Sequence, residues 1–207
     1  MNITFINGSP KAKGSASQAI LNDLKTFLPT QNIKEVHFNK SNVTEVQIET
    51  LKLSEVIVFS FPLYVDSVPS NLLACMIEIE KELRSLPITV YALCNNGFYE
   101  GIQNRHALSV IKNWSIKTNL TWGQGVGVGC GGMMAGLANV PVGKGPKKNF
   151  GQALSLLSDS IQNKLSAENI YIHANFPRFL YKLMAHIGWR REIRKNGKKV
   201  SDLYRKL

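Results

Sequence analysis

The sequence predicts a doubly wound α/β domain, in which helices cover both faces of a parallel sheet. Strand-like and helix-like segments alternate five times along the chain. Two of the strand-like segments, "EVIVFSF" at residues 55–61 and "ITVYALC" at residues 88–94, are nearly continuous apolar runs. Such runs are typical of strands that are buried on both faces. The segments after strands one, three and four are polar or rich in glycine and proline, and ligands bind at that edge in such sheets.

All the predicted elements but one rest on a hydrophobic period or run; the exception is a short polar helix in the forties. The predicted strands are residues 2–7, 33–38, 55–61, 88–94 and 121–132. The predicted helices are residues 15–28, a short polar segment in the forties, the segments around residues 72–79 and 108–114, and residues 149–165. Pro29 ends the first helix because proline cannot donate the helical hydrogen bond. We expect residues 1–168 to form the α/β domain and residues 169–207 to form a basic helical extension.

Composition limits the classes of protein and of site. The 207 residues, of which 44% are hydrophobic, suffice for one full core. No apolar run reaches the roughly 18 residues that span a bilayer, and the first residues do not have the pattern of a secretion signal. The three cysteines form no CxxC pair and the four histidines are scattered, so we expect no metal site. These features favour a cytoplasmic protein.

A loop without large apolar side chains separates the first strand from the first helix. It lies in the stretch "NGSPKAKGSAS" at residues 7–17. Free N–H groups and the positive end of the helix dipole favour a phosphate at such a helix start. The candidate phosphate-binding residues are Ser9, Lys11, Gly14, Ser15, Ala16 and Ser17. The alternative is an ordinary turn in which Ser15 caps the helix.

The glycine spacing of this loop excludes two common nucleotide-binding motifs. The pattern GxxxxGK[ST] is absent, and Gly8 and Gly14 do not fit GxGxxG. The loop therefore predicts neither a nucleotide P-loop nor a dinucleotide fingerprint, and the identity of the anion depends on the other loops.

Two further loops could form the walls of a site for a flat ring. In "FPLYVDSVP" at residues 61–69, two prolines stiffen the chain directly after a buried strand. In "NNGFYEG" at residues 95–101, Phe98 and Tyr99 are unusual for an exposed turn, and stacking on a ring would explain one of them. A helix-start turn and a tight turn are the alternative interpretations of these two stretches.

Taken together, the three loops resemble those of the flavodoxin-like NAD(P)H-dependent FMN reductases and quinone reductases. The matching stretches are Ser9-Pro10-Lys11, Gly14-Ser15-Ala16-Ser17, Pro62-Leu63-Tyr64 with Pro69, and Asn95-Asn96-Gly97-Phe98. The order of elements matches over residues 1–165. The resemblance implies a flavodoxin-like three-layer sandwich with a five-stranded parallel sheet. Leu72 departs from the pattern, because many members carry a lysine there.

In that family the first loop holds the FMN phosphate, the second lies along the isoalloxazine ring, and the third covers its other edge. The resemblance therefore implies cofactor contacts beyond the first loop. These residues are Pro62, Leu63, Tyr64, Val65, Asn95, Asn96, Gly97 and Phe98. It also implies NADH or NADPH as hydride donor, and no catalytic side chain, because the flavin carries the chemistry.

The function that the resemblance implies is that of an FMN-dependent reductase. Such an enzyme transfers a hydride from NAD(P)H to flavin and then reduces a small acceptor such as a quinone, a flavin, or an azo or nitro compound. One alternative is a flavodoxin-like electron carrier, although such carriers are acidic and this chain has a net charge of +11. The other alternative is a flavin-free binding module with a basic tail at a membrane surface.

The fifth predicted strand carries glycine at alternate positions from Gly123 to Gly131, so that one of its faces has almost no side chains. Close packing of a helix against that face is the favoured explanation. A face turned towards the flavin is the alternative.

The positive charge is concentrated in the tail. From Phe176 onwards, the sequence contains ten Lys and Arg residues but only two acidic residues, Glu192 and Asp202. An apolar stripe at helical spacing precedes most of these charges; it comprises Phe176, Phe179, Leu180, Leu183, Met184 and Ile187. We expect the stripe to dock on the domain or on the second subunit of a homodimer. Membrane-surface binding is the alternative, and we expect no nucleic-acid partner because no binding fold is recognisable.

Overall fold

A computed structural model describes residues 1–137 and 139–204 and contains one parallel sheet. Its strands are β1 (Asn2–Asn7), β2 (Asn32–His37), β3 (Val56–Pro62), β4 (Thr89–Asn95), β5 (Thr121–Val128) and β6 (Ile170–Ile172). Their order in the sheet is β2-β1-β3-β4-β5-β6. The first five strands have the order of the flavodoxin-like doubly wound fold. The predicted fold class is therefore confirmed.

The predicted number of five strands is wrong by one. The sixth strand, β6, pairs in parallel with the carboxyl end of β5, where Val126 lies opposite Ile170 and Val128 opposite Ile172. With three residues, β6 is too short to show a hydrophobic period. Its place in the sheet depends on the tertiary pairing with β5, which the local sequence does not reveal.

The helices lie on both faces of the sheet. They are α1 (Ala16–Lys25), α2 (Glu45–Lys52), α3 (Ser70–Leu83), α4 (Arg105–Lys117), α5 (Gly131–Gly136), α6 (Lys148–Gln162) and α7 (Arg178–Lys195). Buried side chains of α2, α3 and α4 form one cluster with inward-facing residues of the strands, among them Phe59 and Val90. On the other face α1 packs against β3 and β4, and α6 packs against β5 and β6.

The helix α5 follows from an early end of β5. We predicted a strand up to residue 132, but β5 ends at Val128. Cys130 has a φ of 58°, a left-handed conformation that interrupts the extended backbone of a strand. The chain therefore turns here and begins a helix at Gly131.

A buried ion pair links α1 to the turn before α6. The side chain of Lys147 is 2% exposed, and its Nζ lies 2.5 Å from Oδ2 of Asp23, whose side chain is 19% exposed. An ammonium group without a partner would be strongly destabilising at such a depth. The pair therefore allows the segment from Gly145 to Lys147 to lie against the body of the sheet domain.

Contacts divide the chain into two compact units, Met1–Ala174 and Asn175–Leu207. The first unit contains the whole sheet, including β6. The division into residues 1–168 and 169–207 stays a prediction. In the second unit, α7 has no buried residue. Among the described residues, no helix is both long enough and apolar enough to cross a bilayer.

Candidate functional site

Three loops meet at the carboxyl edge of the sheet, after three neighbouring strands. The first loop (residues 8–15) follows β1, the second loop (residues 63–69) follows β3, and the third loop (residues 96–104) follows β4. The strand order reverses between β1 and β3, since β2 lies on the outer side of β1. Such a switch point is where ligands bind in doubly wound sheets. The three predicted loops therefore lie where a site is expected.

The backbone of the first loop presents a row of free amides. Six consecutive N–H groups, from Ala12 to Ser17, donate to no acceptor within the described part of the chain. Gly14 has a φ of 65° and leaves open space around the backbone. The Nζ of Lys11 donates to the carbonyl of Gly14 over 3.1 Å, so its positive charge lies beside these amides. This arrangement suits an anion at the start of α1.

The serine hydroxyls of this segment are held in place by other polar groups. Ser15 is the N-cap of α1, and its Oγ accepts from the amide of Gln18 over 3.1 Å. The Oγ of Ser17 accepts from Nδ2 of Asn95 over 3.0 Å, and the Oγ of Ser9 accepts from the amide of Lys11 over 3.2 Å. Each hydroxyl keeps its own hydrogen to donate. Capping by Ser15 and anion binding are therefore compatible.

Asn95, at the end of β4, links the start of α1, the end of β3 and the second loop. Its side chain is buried, and its Nδ2 donates to Ser17 Oγ and to the carbonyl of Phe61, each over 3.0 Å. Its backbone carbonyl accepts from the amide of Leu63 over 2.7 Å. Asn95 therefore braces the edge of the sheet, whereas its predicted contact with a cofactor stays a prediction.

Sequence reasoning missed three further buried polar residues that brace the first loop. Asn7 donates from Nδ2 to Gln18 Oε1 over 2.9 Å and accepts from the amide of Ser9 over 3.0 Å. Ser60 donates to the carbonyl of Ser17 over 3.0 Å, and Asn71 donates to the carbonyl of Gly8 over 3.2 Å. A polar residue at the end of an apolar strand, as at Asn7, is the signal that could have indicated this role.

The second loop is a strained two-residue hairpin. Tyr64 and Ser67 exchange two backbone hydrogen bonds of 3.0 Å each. The residues between them, Val65 and Asp66, have φ values of 49° and 56°. A left-handed conformation is rare for a β-branched residue, so the backbone of Val65 is strained. Val65 is 99% exposed and Tyr64 is 49% exposed, which makes both accessible to a ligand.

The third loop lies against the carboxyl end of β5. The amide of Asn96 donates to the carbonyl of Val128 over 3.0 Å. The amides of Cys130 and Gly131 donate back to the carbonyls of Phe98 and Asn96 over 2.6 Å each. Phe98 stays 56% exposed, and Oδ1 of the buried Asn96 has no hydrogen-bond partner among the described residues. The loop thus has a fixed backbone and an exposed aromatic ring.

Tyr99 and His173 stack on each other next to this loop. Their ring centroids are 4.8 Å apart and the planes differ by 22°. His173 follows β6, which the sequence analysis placed outside the sheet. The stack therefore connects the third loop to the sixth strand.

The glycines of β5 make room for these contacts. A Cβ at Gly125 would lie 2.9 Å from Oδ1 of Asn169 and 3.1 Å from a methyl carbon of Leu108 in α4, so a helix accounts for only part of the close packing at this position. A Cβ at Gly129 would lie 2.1 Å from the carbonyl oxygen of Tyr99, so that only glycine lets the third loop approach.

We expect Gly129→Ala to destabilise the domain by about 1–3 kcal/mol, because a rigid backbone must move to admit the methyl group. Gly132→Ala is the matched control, since a Cβ there meets nothing within 4 Å. Urea unfolding of both variants measures the effect through the midpoint. Equal midpoints would show that the backbone of Tyr99 does not lie in close contact with Gly129 in solution.

Leu72 lies under the first loop. Its side chain is fully buried, and a Cβ at Gly8 would lie 2.6 Å from Leu72 Cδ2. The residue that departs from the family pattern therefore packs the core beneath the loop. It presents no charge to the site.

The cysteines offer no reactive thiolate. Burial raises the pKa of the Cys130 thiol and raises that of Cys94 well above its ordinary value. Desolvation, followed by the nearby Glu78, raises the pKa of Cys75 to about 11. Among the described residues, no group of three His, Cys, Asp or Glu side chains could hold a metal ion.

An open cleft of about 520 Å³ lies away from the three loops. It is lined by Lys112, Trp122 and residues 166–169, near the amino end of β5. Ligands of doubly wound sheets bind at the opposite edge. The cleft is therefore not the candidate site.

Solved structures with the same fold include several flavin enzymes. An NADH:FMN oxidoreductase is similar with a TM-score of 0.61 at 14% identity, over 81% of this chain and 91% of that one. An NAD(P)H:quinone oxidoreductase from Methanothermobacter marburgensis has a TM-score of 0.55 at 12% identity, over 76% and 96%. An FMN-dependent NADH-azoreductase from Bacillus anthracis, solved with FMN, has a TM-score of 0.52 at 14% identity, over 76% and 100%.

These likenesses establish that the chain has the flavodoxin-like fold. No model of a protein family matches the sequence, and no curated protein sequence matches it.

Proposed function

We propose that this flavodoxin-like chain is an FMN-dependent oxidoreductase that takes a hydride from NADH or NADPH and reduces a small acceptor. The observation that carries the proposal is the row of six free amides from Ala12 to Ser17 at the switch point of the sheet. Free amides at a helix start bind one terminal phosphate, and FMN has one.

The first loop fits a phosphate in charge as well as in hydrogen bonding. Lys11 and Lys13 are exposed, and neither forms an ion pair with an acidic side chain among the described residues. The start of α1 adds its partial positive charge. The hydroxyls of Ser15 and Ser17 have their oxygens fixed by neighbouring donors, which leaves each hydrogen to donate to an anion.

The second and third loops fit a planar ring. Tyr64, Val65 and Phe98 are large, apolar or aromatic, and exposed at the same edge of the sheet. Aromatic and aliphatic surfaces of this kind bind flat heterocycles by stacking. Asn95, which hydrogen bonds to Ser17 and to Phe61, fixes the spacing between the first two loops.

The structures with the same fold support the proposed oxidoreductase function. Those with the flavodoxin-like fold include an NADH:FMN oxidoreductase, a quinone oxidoreductase and an FMN-dependent azoreductase. Bound FMN would supply the hydride-accepting chemistry, and the chain supplies binding, orientation and electrostatics. We name no catalytic side chain. A cytoplasmic location and a homodimer whose contact lies outside α7 belong to the proposal, and the acceptor is a small molecule such as a quinone, a flavin, or an azo or nitro compound.

We expect anaerobic addition of NADH or NADPH to bleach the visible absorbance of the FMN-loaded protein. The bleaching should be complete with at least one of the two nicotinamides, because the proposal requires a hydride donor. A panel of quinone, azo and nitro acceptors then restores the absorbance and identifies the acceptor class. FMN bound without reduction by either nicotinamide would favour an electron carrier, and absence of FMN binding would favour a flavin-free module.

A further inference from the structure

The helix α7 exposes apolar and basic side chains together. The exposed fractions of Phe179, Leu183, Met184 and Trp189 are 70%, 54%, 57% and 68%. No residue of α7 is buried. Phe179, Leu183 and Ile187 are spaced four positions apart and so lie along one side of the helix, and large apolar side chains exposed together in this way indicate an interaction surface.

The basic residues continue the apolar stripe along the same side of the helix. Arg190, Arg191 and Arg194 follow Ile187 by three, four and seven positions. Residues at these spacings share one face of a helix. One side of α7 is therefore apolar in its first half and cationic in its second half.

The three arginines have no internal counterion. All three are exposed, and none forms an ion pair within the described ranges. The acidic residue between them, Glu192, instead lies 4.0 Å from Lys195. Their charge is therefore available to an external anionic surface.

We propose that α7 binds an anionic lipid surface, with the apolar half at the acyl boundary and the arginines at the headgroups. Burial of apolar side chains and attraction of Arg to anionic headgroups both bind helices to lipid surfaces. In α7 these two kinds of side chain follow one another along one side of the helix instead of lying on opposite faces. Anionic headgroups complement the net positive charge of this segment. The proposal does not depend on the proposed flavin chemistry.

A second copy of the chain fits this surface less well. Two α7 helices in contact would bring together two copies of these three arginines, six positive charges in all. The rest of the chain, residues 1–175, also has more Lys and Arg, fifteen, than Asp and Glu, twelve. A second copy therefore offers no net acidic surface to the arginines. A nucleic acid would match the charge but would leave the apolar half of the stripe uncovered.

The test uses the full chain and sedimentation with vesicles. We expect the protein to sediment with vesicles of equimolar phosphatidylglycerol and phosphatidylcholine, and not with vesicles of phosphatidylcholine alone. Added salt should weaken the binding because it screens the headgroup charge. The fluorescence of Trp189 should shift to the blue on binding, and Trp189→Phe should remove that shift.

Two sets of variants test the arginines and the apolar stripe separately. Replacing Arg190, Arg191 and Arg194 together by glutamine should weaken vesicle binding by about a hundredfold. The matched control removes the same charge from the sheet domain, with Lys34, Lys81 and Lys112 replaced by glutamine, and should leave binding unchanged. Leu183→Gln with Ile187→Gln should weaken binding by about tenfold or more, since both lose apolar burial.

Four results would overturn the proposal. The first is equal sedimentation with charged and uncharged vesicles. The second is an equal loss of binding in the arginine set and in the lysine control set. The third is an apolar double variant that changes the molecular mass in solution but not vesicle binding, which would assign α7 to a second copy. Retention on nucleic acid with no vesicle binding would also contradict it.

Discussion

Ser15→Asp is expected to weaken FMN binding on the order of a hundredfold relative to Ser15→Asn. Aspartate and asparagine cap a helix about equally well, so both variants should keep the hydrogen bond to the amide of Gln18 and the start of α1. The two side chains have nearly the same size and differ in charge. A carboxylate placed about 4 Å from a phosphate near a protein surface is repelled by a few kcal/mol.

Riboflavin makes this comparison specific for the phosphate. It has the ring and the ribityl chain of FMN but no charge, so the two variants should bind it equally. Quenching of flavin fluorescence on titration with the apo-protein gives the four dissociation constants. If aspartate and asparagine at position 15 gave the same affinity for FMN, the phosphate would not lie at the first loop. Equal thermal midpoints of the two variants would show that folding is not the cause of a difference.

Asp23→Ala is expected to lower the free energy of unfolding by about 3–5 kcal/mol. The substitution leaves the ammonium group of Lys147, whose side chain is 2% exposed, without its counterion. Removal of one partner of a buried ion pair is much more destabilising than removal of both. Urea unfolding with the cofactor concentration held constant measures the change.

The double variant Asp23→Ala with Lys147→Met is the control for this prediction. It removes both charges and keeps the apolar length of the lysine chain, so it should recover most of the lost stability. A loss below about 1 kcal/mol for Asp23→Ala would mean that the ammonium group reaches water in solution. In that case the segment from Gly145 to Lys147 does not lie against α1 as described.

The fold could be predicted largely because its core strands and helices carry strong local signals. β3 and β4 are continuous apolar runs, and α6 has a clear helical period. The sixth strand could not be predicted, because three residues carry no period and β6 depends on pairing with β5. The early end of β5 was missed because Cys130 adopts a left-handed conformation that is rare for residues other than glycine.

The position of the three loops could be predicted, but most of the contacts that hold them could not. Loops after adjacent parallel strands must meet at one edge, so the first, second and third loops were found from the strand pattern alone. The hydrogen bond from Asn71 to the carbonyl of Gly8 could not be predicted, because the two residues are 63 positions apart in the sequence. The turn at Val65 and Asp66 gave no signal either, because two-residue hairpins usually carry glycine or asparagine there.

The hydrogen bonds between the third loop and the end of β5 set the order in which a newly made chain can complete its site. All three loops are synthesised within roughly the first half of the chain, and domains fold from the amino terminus as they emerge. The amides of Cys130 and Gly131 that hold the third loop come later. Until they emerge, Phe98 and Asn96 lack their backbone partners. A nascent chain that ends before β5 therefore carries all three loops, but the third loop lacks the hydrogen bonds that fix its backbone until the end of β5 is made.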